Sequence, residues 1–270
     1  GYEVVSGLPK ERHPSPMLSL DKTKEIDALR GWLGDHEGLL SWKLDGLTTV
    51  LTYENGRLEK AVTRGDGITG EVITSNARKF ENIPLEIPER GTVTVRGEAV
   101  ISYADFEEIN RTIGEADAKY KNPRNLCSGS VRQLNNEITA QRHVKFYAFS
   151  LAEGGGRFEY RHQQMQWMYD QGFETVDYVR VTAADIEDAV NGFEAKIADF
   201  PLPSDGLVLI FDDIEYGRSL GSTAKFPRDS IAFKWKDEMK ETHLRQMLWN
   251  ASRTGLINPI AVFDPVELEG

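Results

Sequence analysis

Apolar positions along the chain change period several times, and each change marks an element. In residues 21–33, Ile26, Leu29 and Leu33 fall at helical spacing and the run stops at Gly34, which predicts a short amphipathic helix. Runs 49–53 and 57–63 flank Asn55-Gly56, a strong signal for a tight hairpin. Residues 92–101 set Val93 and Val95 against Thr94, Arg96 and Glu98, so they predict a strand with one polar face. Ser102 and Asp105 open a helix bearing Phe106 and Ile109. A strand is expected over 144–151. Helices are expected over 158–171 and 182–200, the second with a stripe of Ile186, Val190, Phe193 and Ile197. Segments 206–211 and 230–235 read as strands, and 257–263 starts a new segment after a polar stretch. There is no internal repeat. The pattern predicts an α+β fold with mostly antiparallel sheets.

With 270 residues, 40% hydrophobic and 28% charged, the chain can build a sizeable core. No apolar run approaches the roughly 20 residues of a membrane span, so no membrane association is expected. The lone cysteine, Cys127, excludes an intramolecular disulfide framework and a multi-cysteine zinc site. With no signal-like N-terminus, these features predict a cytoplasmic protein. The net charge of −11 has the wrong sign for a simple polyanion binder, but its distribution changes that picture. Residues 119–136 hold Lys119, Lys121, Arg124 and Arg132 and no acid, and residues 217–236 hold five basic residues against Asp229. The start at Gly1 and the strand-like end suggest a piece excised from a longer protein.

Four short strings could carry chemistry. In Trp42-Lys43-Leu44-Asp45-Gly46, a period of two puts Lys43 and Asp45 on one face. Residues 63–71, Thr-Arg-Gly-Asp-Gly-Ile-Thr-Gly-Glu, gather three glycines round Arg64 and Asp66, so a backbone could approach a ligand closely. Arg96-Gly97-Glu98 offers a cation and a carboxylate beside a flat glycine face, and the 230–236 run lines up Lys234 and Lys236. Each string alone is equally a surface ion pair, a hairpin loop or an exposed edge strand. Together they supply a lysine nucleophile, cations for phosphates, and carboxylates for a ribose or a metal, as nucleotidyl transfer requires.

Taken in order, Lys43-Leu-Asp-Gly46, residues 63–71, Arg96-Gly-Glu98, Asn122-Pro-Arg-Asn125 with Ser130-Val-Arg-Gln-Leu134, Asp205-Gly-Leu-Val208 and Ala232-Phe-Lys234 resemble the adenylation domain of bacterial NAD-dependent DNA ligases. The segment Pro16 to Asp21 resembles the stretch before that family's nucleophile, and Ser252 to Pro259 its entry into an OB-fold. The resemblance implies a nucleotidyltransferase fold over 1–240 and the beginning of an OB-fold over 241–270. It implies lysine-AMP formation from NAD, then AMP transfer to the 5′-phosphate of nicked double-stranded DNA, with Mg²⁺, in a monomer. Lys43 would accept AMP, Asp45 would assist phosphodiester formation, and Lys234 would bind the α-phosphate. Ser19 and Leu20 would lie at the adenine end, with Phe149 stacked on the base. Arg64 would contact the nucleotide, Glu98 its ribose, and Arg124 and Arg132 the DNA backbone.

Three positions depart from that family. Ser41 stands in the adenine contact where a glutamate is usual, Ile210 stands where the strand usually ends in a lysine, and residues 195–203 lack a usual arginine. Lys236 is the replacement cation expected for Ile210. The family's segment for the nicotinamide half of NAD is expected to lie upstream of this chain, so self-adenylation by the chain alone is expected to be slow or not to occur. Two rival readings share the same strings: an ATP-using ligase or capping-type enzyme, and a non-catalytic nucleotide or nucleic-acid binding module. The five histidines show no metal-ligand spacing.

Overall fold

A computed structural model describes residues 7–113, 119–235, 241–252 and 254–266. The chain divides into two compact units, residues 1–234 and 235–270.

The first unit opens with two short strands, β1 (Lys10–Arg12) and β2 (Asp21–Thr23), and helix α1 (Ile26–Leu33). The helix expected from residue 21 starts only at Ile26, because Asp21–Thr23 pairs in parallel with a later strand. Next come β3 (Gly38–Leu44), β4 (Leu47–Glu54), β5 (Arg57–Thr63) and β6 (Thr69–Glu71), then the single turn α2 (Thr74–Ala77) and β7 (Val93–Val100). The β4–β5 turn is the expected one, with Asn55 at φ 49° and Gly56 at φ 78°. Three helices follow: α3 (Tyr103–Thr112), α4 (Pro123–Val131) and α5 (Asn136–Ala140). Ser102 Oγ accepts the Asp105 N–H to start α3, and Asn122 Oδ1 accepts the Asn125 N–H to start α4 with Pro123 in its first turn. The unit continues with β8 (Lys145–Glu153), α6 (Arg161–Asp170), β9 (Tyr178–Val181), α7 (Ile186–Glu194), β10 (Ser204–Phe211), α8 (Ile214–Ser219) and β11 (Ser230–Lys234). The helix expected over 182–200 stops at Glu194, and a 3-10 turn over Ile197–Asp199 leads into Pro201 and Pro203, which a helix cannot continue through.

Two sheets organise this unit. A five-stranded sheet runs β2-β11-β10-β3-β9, antiparallel except for β11 with β2. A four-stranded antiparallel sheet runs β5-β4-β7-β8. In the first, Leu40, Trp42 and Leu44 of β3 bury one face, with α7, which carries Val190 and Phe193, packed on β3 and on α1, and Leu33 of α1 beside Gly38. Trp42 stacks on Phe200 at 4.1 Å and meets the edge of Phe193. Each such side chain contributes about 1.5–3 kcal/mol over its exposed form. That packing fixes the orientation of β3 and leaves Ser41 and Lys43 on the opposite face. In the second sheet, Leu51, Tyr53, Val95 and Ala99 bury one face, with Leu126 and Cys127 of α4 in the same core.

The second unit pairs β12 (Leu244–Ala251) with β13 (Ile257–Phe263), antiparallel, and every residue of both strands is exposed. Among the described residues, no helix is long and apolar enough to cross a membrane.

Candidate active site

Lys43 reaches its surroundings through a particular register. It lies opposite Gly206 of β10, and Gly206 lies opposite Lys234 of β11, so the two lysines flank a residue without a side chain. Gly206 sits at φ 150°, and a Cβ there would lie 2.0 Å from the Phe233 carbonyl oxygen. Between Ser204 and Gly206 the β3–β10 register slips, a bulge that takes Asp205 out of the regular alternation. Its carboxylate turns towards both lysines: Lys43 Nζ donates to both oxygens at 3.2 Å, and Lys234 Nζ donates to Oδ2 at 2.6 Å. One carboxylate thus draws two ammoniums together and leaves a net positive charge.

Asp45 follows directly. Its N–H donates to the Pro203 carbonyl at 2.8 Å, and its Oδ1 lies 3.6 Å from Arg124 Nε. Gly46 is required for packing, since a Cβ would fall 1.9 Å from the Ala99 carbonyl oxygen. Burial, then Asp205, pushes the Asp45 carboxyl above its ordinary range, against the pull of Arg124, Lys43 and Lys234. Asp205 goes the other way. Burial alone would raise it, but the two lysines together outweigh burial and hold it low.

Glu98 enters from β7, paired with Thr48 on β4 and Tyr147 on β8. Burial raises its carboxyl to about 7, while Thr48, the Lys43 charge and the Gly46 N–H oppose the rise and Asp45 adds to it. Its Oε1 is enclosed without a hydrogen-bond partner. Gly97 allows β7 to lie against β8, because a Cβ would meet the Phe146 ring at 2.3 Å. Phe149 is the extra residue of a bulge in β8, between Ala148 opposite Gly97 and Ser150 opposite Arg96, and at 40% exposed it is not a core aromatic.

Arg64 is engaged within the protein. Its guanidinium donates to the Met17 carbonyl at 3.1 Å and to Ser19 Oγ at 3.1 Å, and Gly67 brings its own backbone close enough that a Cβ would lie 2.6 Å from the Met17 carbonyl. The glycine-rich loop therefore holds the Met17–Ser19 segment, with Ser19 exposed and Leu20 half-buried beside it. Asp66 closes the loop by accepting the Ile68 and Thr69 N–H groups at 2.8 Å, which lower its carboxyl.

The family model for the NAD-dependent DNA ligase adenylation domain matches residues 5–238. The chain belongs to that family. Relatives called DNA ligase include those of Lachnoclostridium phytofermentans and Ruminiclostridium cellulolyticum, each 61% identical over the whole chain. The chain spans 42% and 41% of their respective lengths. Among solved structures, an archaeal ATP-dependent RNA ligase aligns over 82% of the chain and 48% of its own, at 11% identity and a TM-score of 0.48.

Within this ligase adenylation domain, the geometry brings Lys43, Asp45 and Lys234 together and connects Glu98 to them electrostatically. Ser41 lies opposite Val208 and Tyr178, and Ile210, two residues beyond Val208, shares its face. Lys236 lies outside the described residues. The two expected DNA contacts differ in setting. Arg124 is largely exposed, whereas Arg132 is pinned to the half-enclosed Glu71 at 2.7 Å. Asp205 was not among the expected site residues. Its signal was the Asp-Gly pair at the start of a strand, which often marks a bulge or turn but does not say which way the carboxylate points.

Proposed function

We propose that this chain charges Lys43 with AMP taken from NAD, for transfer to the 5′-phosphate of nicked DNA. The observation that carries the reading is the Lys43–Asp205–Lys234 cluster. Lys43 attacks the adenylyl phosphorus: a nitrogen–phosphorus bond forms as the phosphorus–oxygen bond to nicotinamide mononucleotide breaks, and the electron pair leaves with that product. Lys43 attacks through the nitrogen lone pair that its unprotonated amine presents. Lys234 offsets charge on the phosphoryl oxygens, a role worth several kcal/mol at the transition state.

Glu98 would accept a ribose hydroxyl and exposed Phe149 would stack on the base, with Ser19, Leu20 and Ser41 lining the adenine end. Arg64 would act through the segment it anchors. No cluster of three acidic, histidine or cysteine side chains suited to a metal occurs among the described residues. Mg²⁺ needs only one or two carboxylates when substrate phosphates complete its shell, and Asp45 with the unpartnered Oε1 of Glu98 fits that demand. The ion would supply charge neutralisation at the phosphate. Arg124 would grip the DNA backbone, and the second unit would be the first strands of an OB-fold.

The test is intact-mass analysis of the full-length protein after incubation with NAD or with ATP. One AMP should appear with NAD only, and Lys43→Ala should abolish it while circular dichroism stays unchanged. An adduct that persists in Lys43→Ala, or forms equally from ATP, overturns the assignment.

A further inference from the structure

Helix α6 buries Met165 and Met168 on one side, which leaves His162, Gln166 and Asp170, four residues apart, in line on the other. These three line an open cavity of about 460 Å³, a size common for small-ligand sites. Phe158, Trp167 and, from β9, Tyr178 supply its aromatic surface. Gly155 holds two of these rings in place: at φ 78° its backbone lies so close that a Cβ would meet Trp167 at 2.9 Å and Phe158 at 3.0 Å. The Phe158 and Trp167 rings meet edge to face, with 6.1 Å between centroids.

Bonds made around the cavity decide which polar atoms are left to face it. Asp212, 1% exposed, accepts from His162 Nδ1 at 2.6 Å and from the His162 N–H at 3.0 Å. A carboxylate only accepts, so Nδ1 carries the hydrogen and Nε2 of the neutral ring is left as an acceptor. Gln163, also on the cavity wall, spends its Oε1 on the Glu159 and Tyr160 N–H groups at 3.2 and 3.1 Å, which leaves its amide NH₂. Gln166 Nε2 donates to Asp170 Oδ1 at 2.9 Å, which leaves Gln166 Oε1 and Asp170 Oδ2. Three acceptors therefore face one amide donor and the Tyr178 hydroxyl. Asp170 carries the only formal charge on the wall, and no cation pairs with it among the described residues. Arg180 Nε, 3.9 Å from Asp212 Oδ2, offsets Asp212 instead.

An aromatic, acceptor-rich cavity with one unpaired carboxylate suits a flat cation that only donates. The guanidinium group is such a cation: planar, weakly hydrated, ringed by N–H donors and able to stack on aromatic faces. An ammonium is not flat, and a nucleobase brings ring acceptors for which the wall holds few donors. We propose that the cavity between α6 and Tyr178 binds a guanidinium group, with Asp170 and Gln166 receiving its edge, His162 Nε2 a further N–H, and Trp167 its face. Only Tyr178, opposite Ser41, adjoins the strand that carries Lys43. The site therefore stands whether or not Lys43 accepts AMP.

Methylguanidine is the probe, read by fluorine NMR of the full-length protein labelled with fluorotryptophan, in which the Trp167 signal is identified by its loss in Trp167→Phe. That signal should shift saturably, with a Kd on the order of 1 mM for so small a ligand. Methylammonium at equal ionic strength should bind roughly fivefold more weakly or worse. Asp170→Asn and Gln166→Leu should each weaken methylguanidine binding by roughly fivefold with the Tm unchanged, because both side chains are exposed. Two forms of arginine separate the sources of the group. A peptide with arginine between capped glycines that binds at least as tightly as free L-arginine assigns the cavity to an arginine side chain of a polypeptide. Binding of free L-arginine alone assigns it to a free guanidinium compound. A Trp167 signal that stays still well above that Kd, or moves only as the other tryptophans do, overturns the site. So does an equal response to methylammonium, or an undiminished response in Asp170→Asn.

Discussion

Replacing Glu98 with glutamine should stabilise the protein, and only at high pH. Burial raises the Glu98 carboxyl from 4.5 to about 7, so the folded chain holds a proton there that the unfolded chain has lost between these values. Stability must then fall as pH rises through that window, the opposite of the usual salt-bridged carboxylate. At about 1.36 kcal/mol per pKa unit, the cost of ionised Glu98 is roughly 3 kcal/mol at pH 8.5 and under about 1 kcal/mol at pH 5. Glutamine keeps the shape and carries no charge. Any hydrogen bond it loses to Thr48 or Gly46 is the same at both pH values, so the difference between them isolates ionisation. Urea midpoints of parent and Glu98→Gln in metal-free buffer should diverge by about 2–3 kcal/mol between pH 5 and pH 8.5, with the variant gaining at the higher pH. Adenylation should slow in the same variant, a trade of stability for function. An equal stability difference at both pH values would refute the argument, because a charge held against burial cannot be pH-independent.

Asp205→Asn should leave two ammoniums facing each other. With the carboxylate about a third exposed, a loss of about 1–2 kcal/mol in urea unfolding is expected, below the range for fully buried pairs. Because the Asp205 carboxyl is held low, its contribution is present at neutral pH and lost only as pH falls through that lowered value, so parent and variant should converge in strong acid. Gly46→Ala should cost roughly 2–4 kcal/mol, seen as a lower Tm, because its Cβ collides with the Ala99 carbonyl. Arg124→Ala should weaken binding to nicked duplex and reduce the slope of log K against log salt by about 1. Arg132→Ala should chiefly lower stability, by freeing the half-enclosed Glu71; an unchanged Tm with weaker DNA binding would reverse that assignment.

Local pattern was enough for the elements whose cause is local. Asn55-Gly56 fixed a hairpin because only a turn with positive φ closes two strands in two residues, and alternation along 92–101 put Arg96 and Glu98 on one face. Order and spacing of short strings made the family legible, and Lys43, Asp45 and Lys234 with it. The unpredicted β12 escaped because Leu244–Ala251 mixes charged and apolar residues without clean alternation and acquires strand form only by pairing with β13. Residues 21–23 extend rather than join α1 because β11 offers them a partner. Register lay beyond the sequence. It set Lys43 and Lys234 on either side of Gly206, and a one-residue bulge turned Asp205 between them. Tertiary packing settled that Arg132, just past α4, is tied to Glu71, and cross-strand pairing that Arg96 has no carboxylate opposite. Propensity and turn chemistry act over a few residues, whereas counter-ions and burial depend on strands brought together from up to about 160 residues apart, and only the packed sheet decides those.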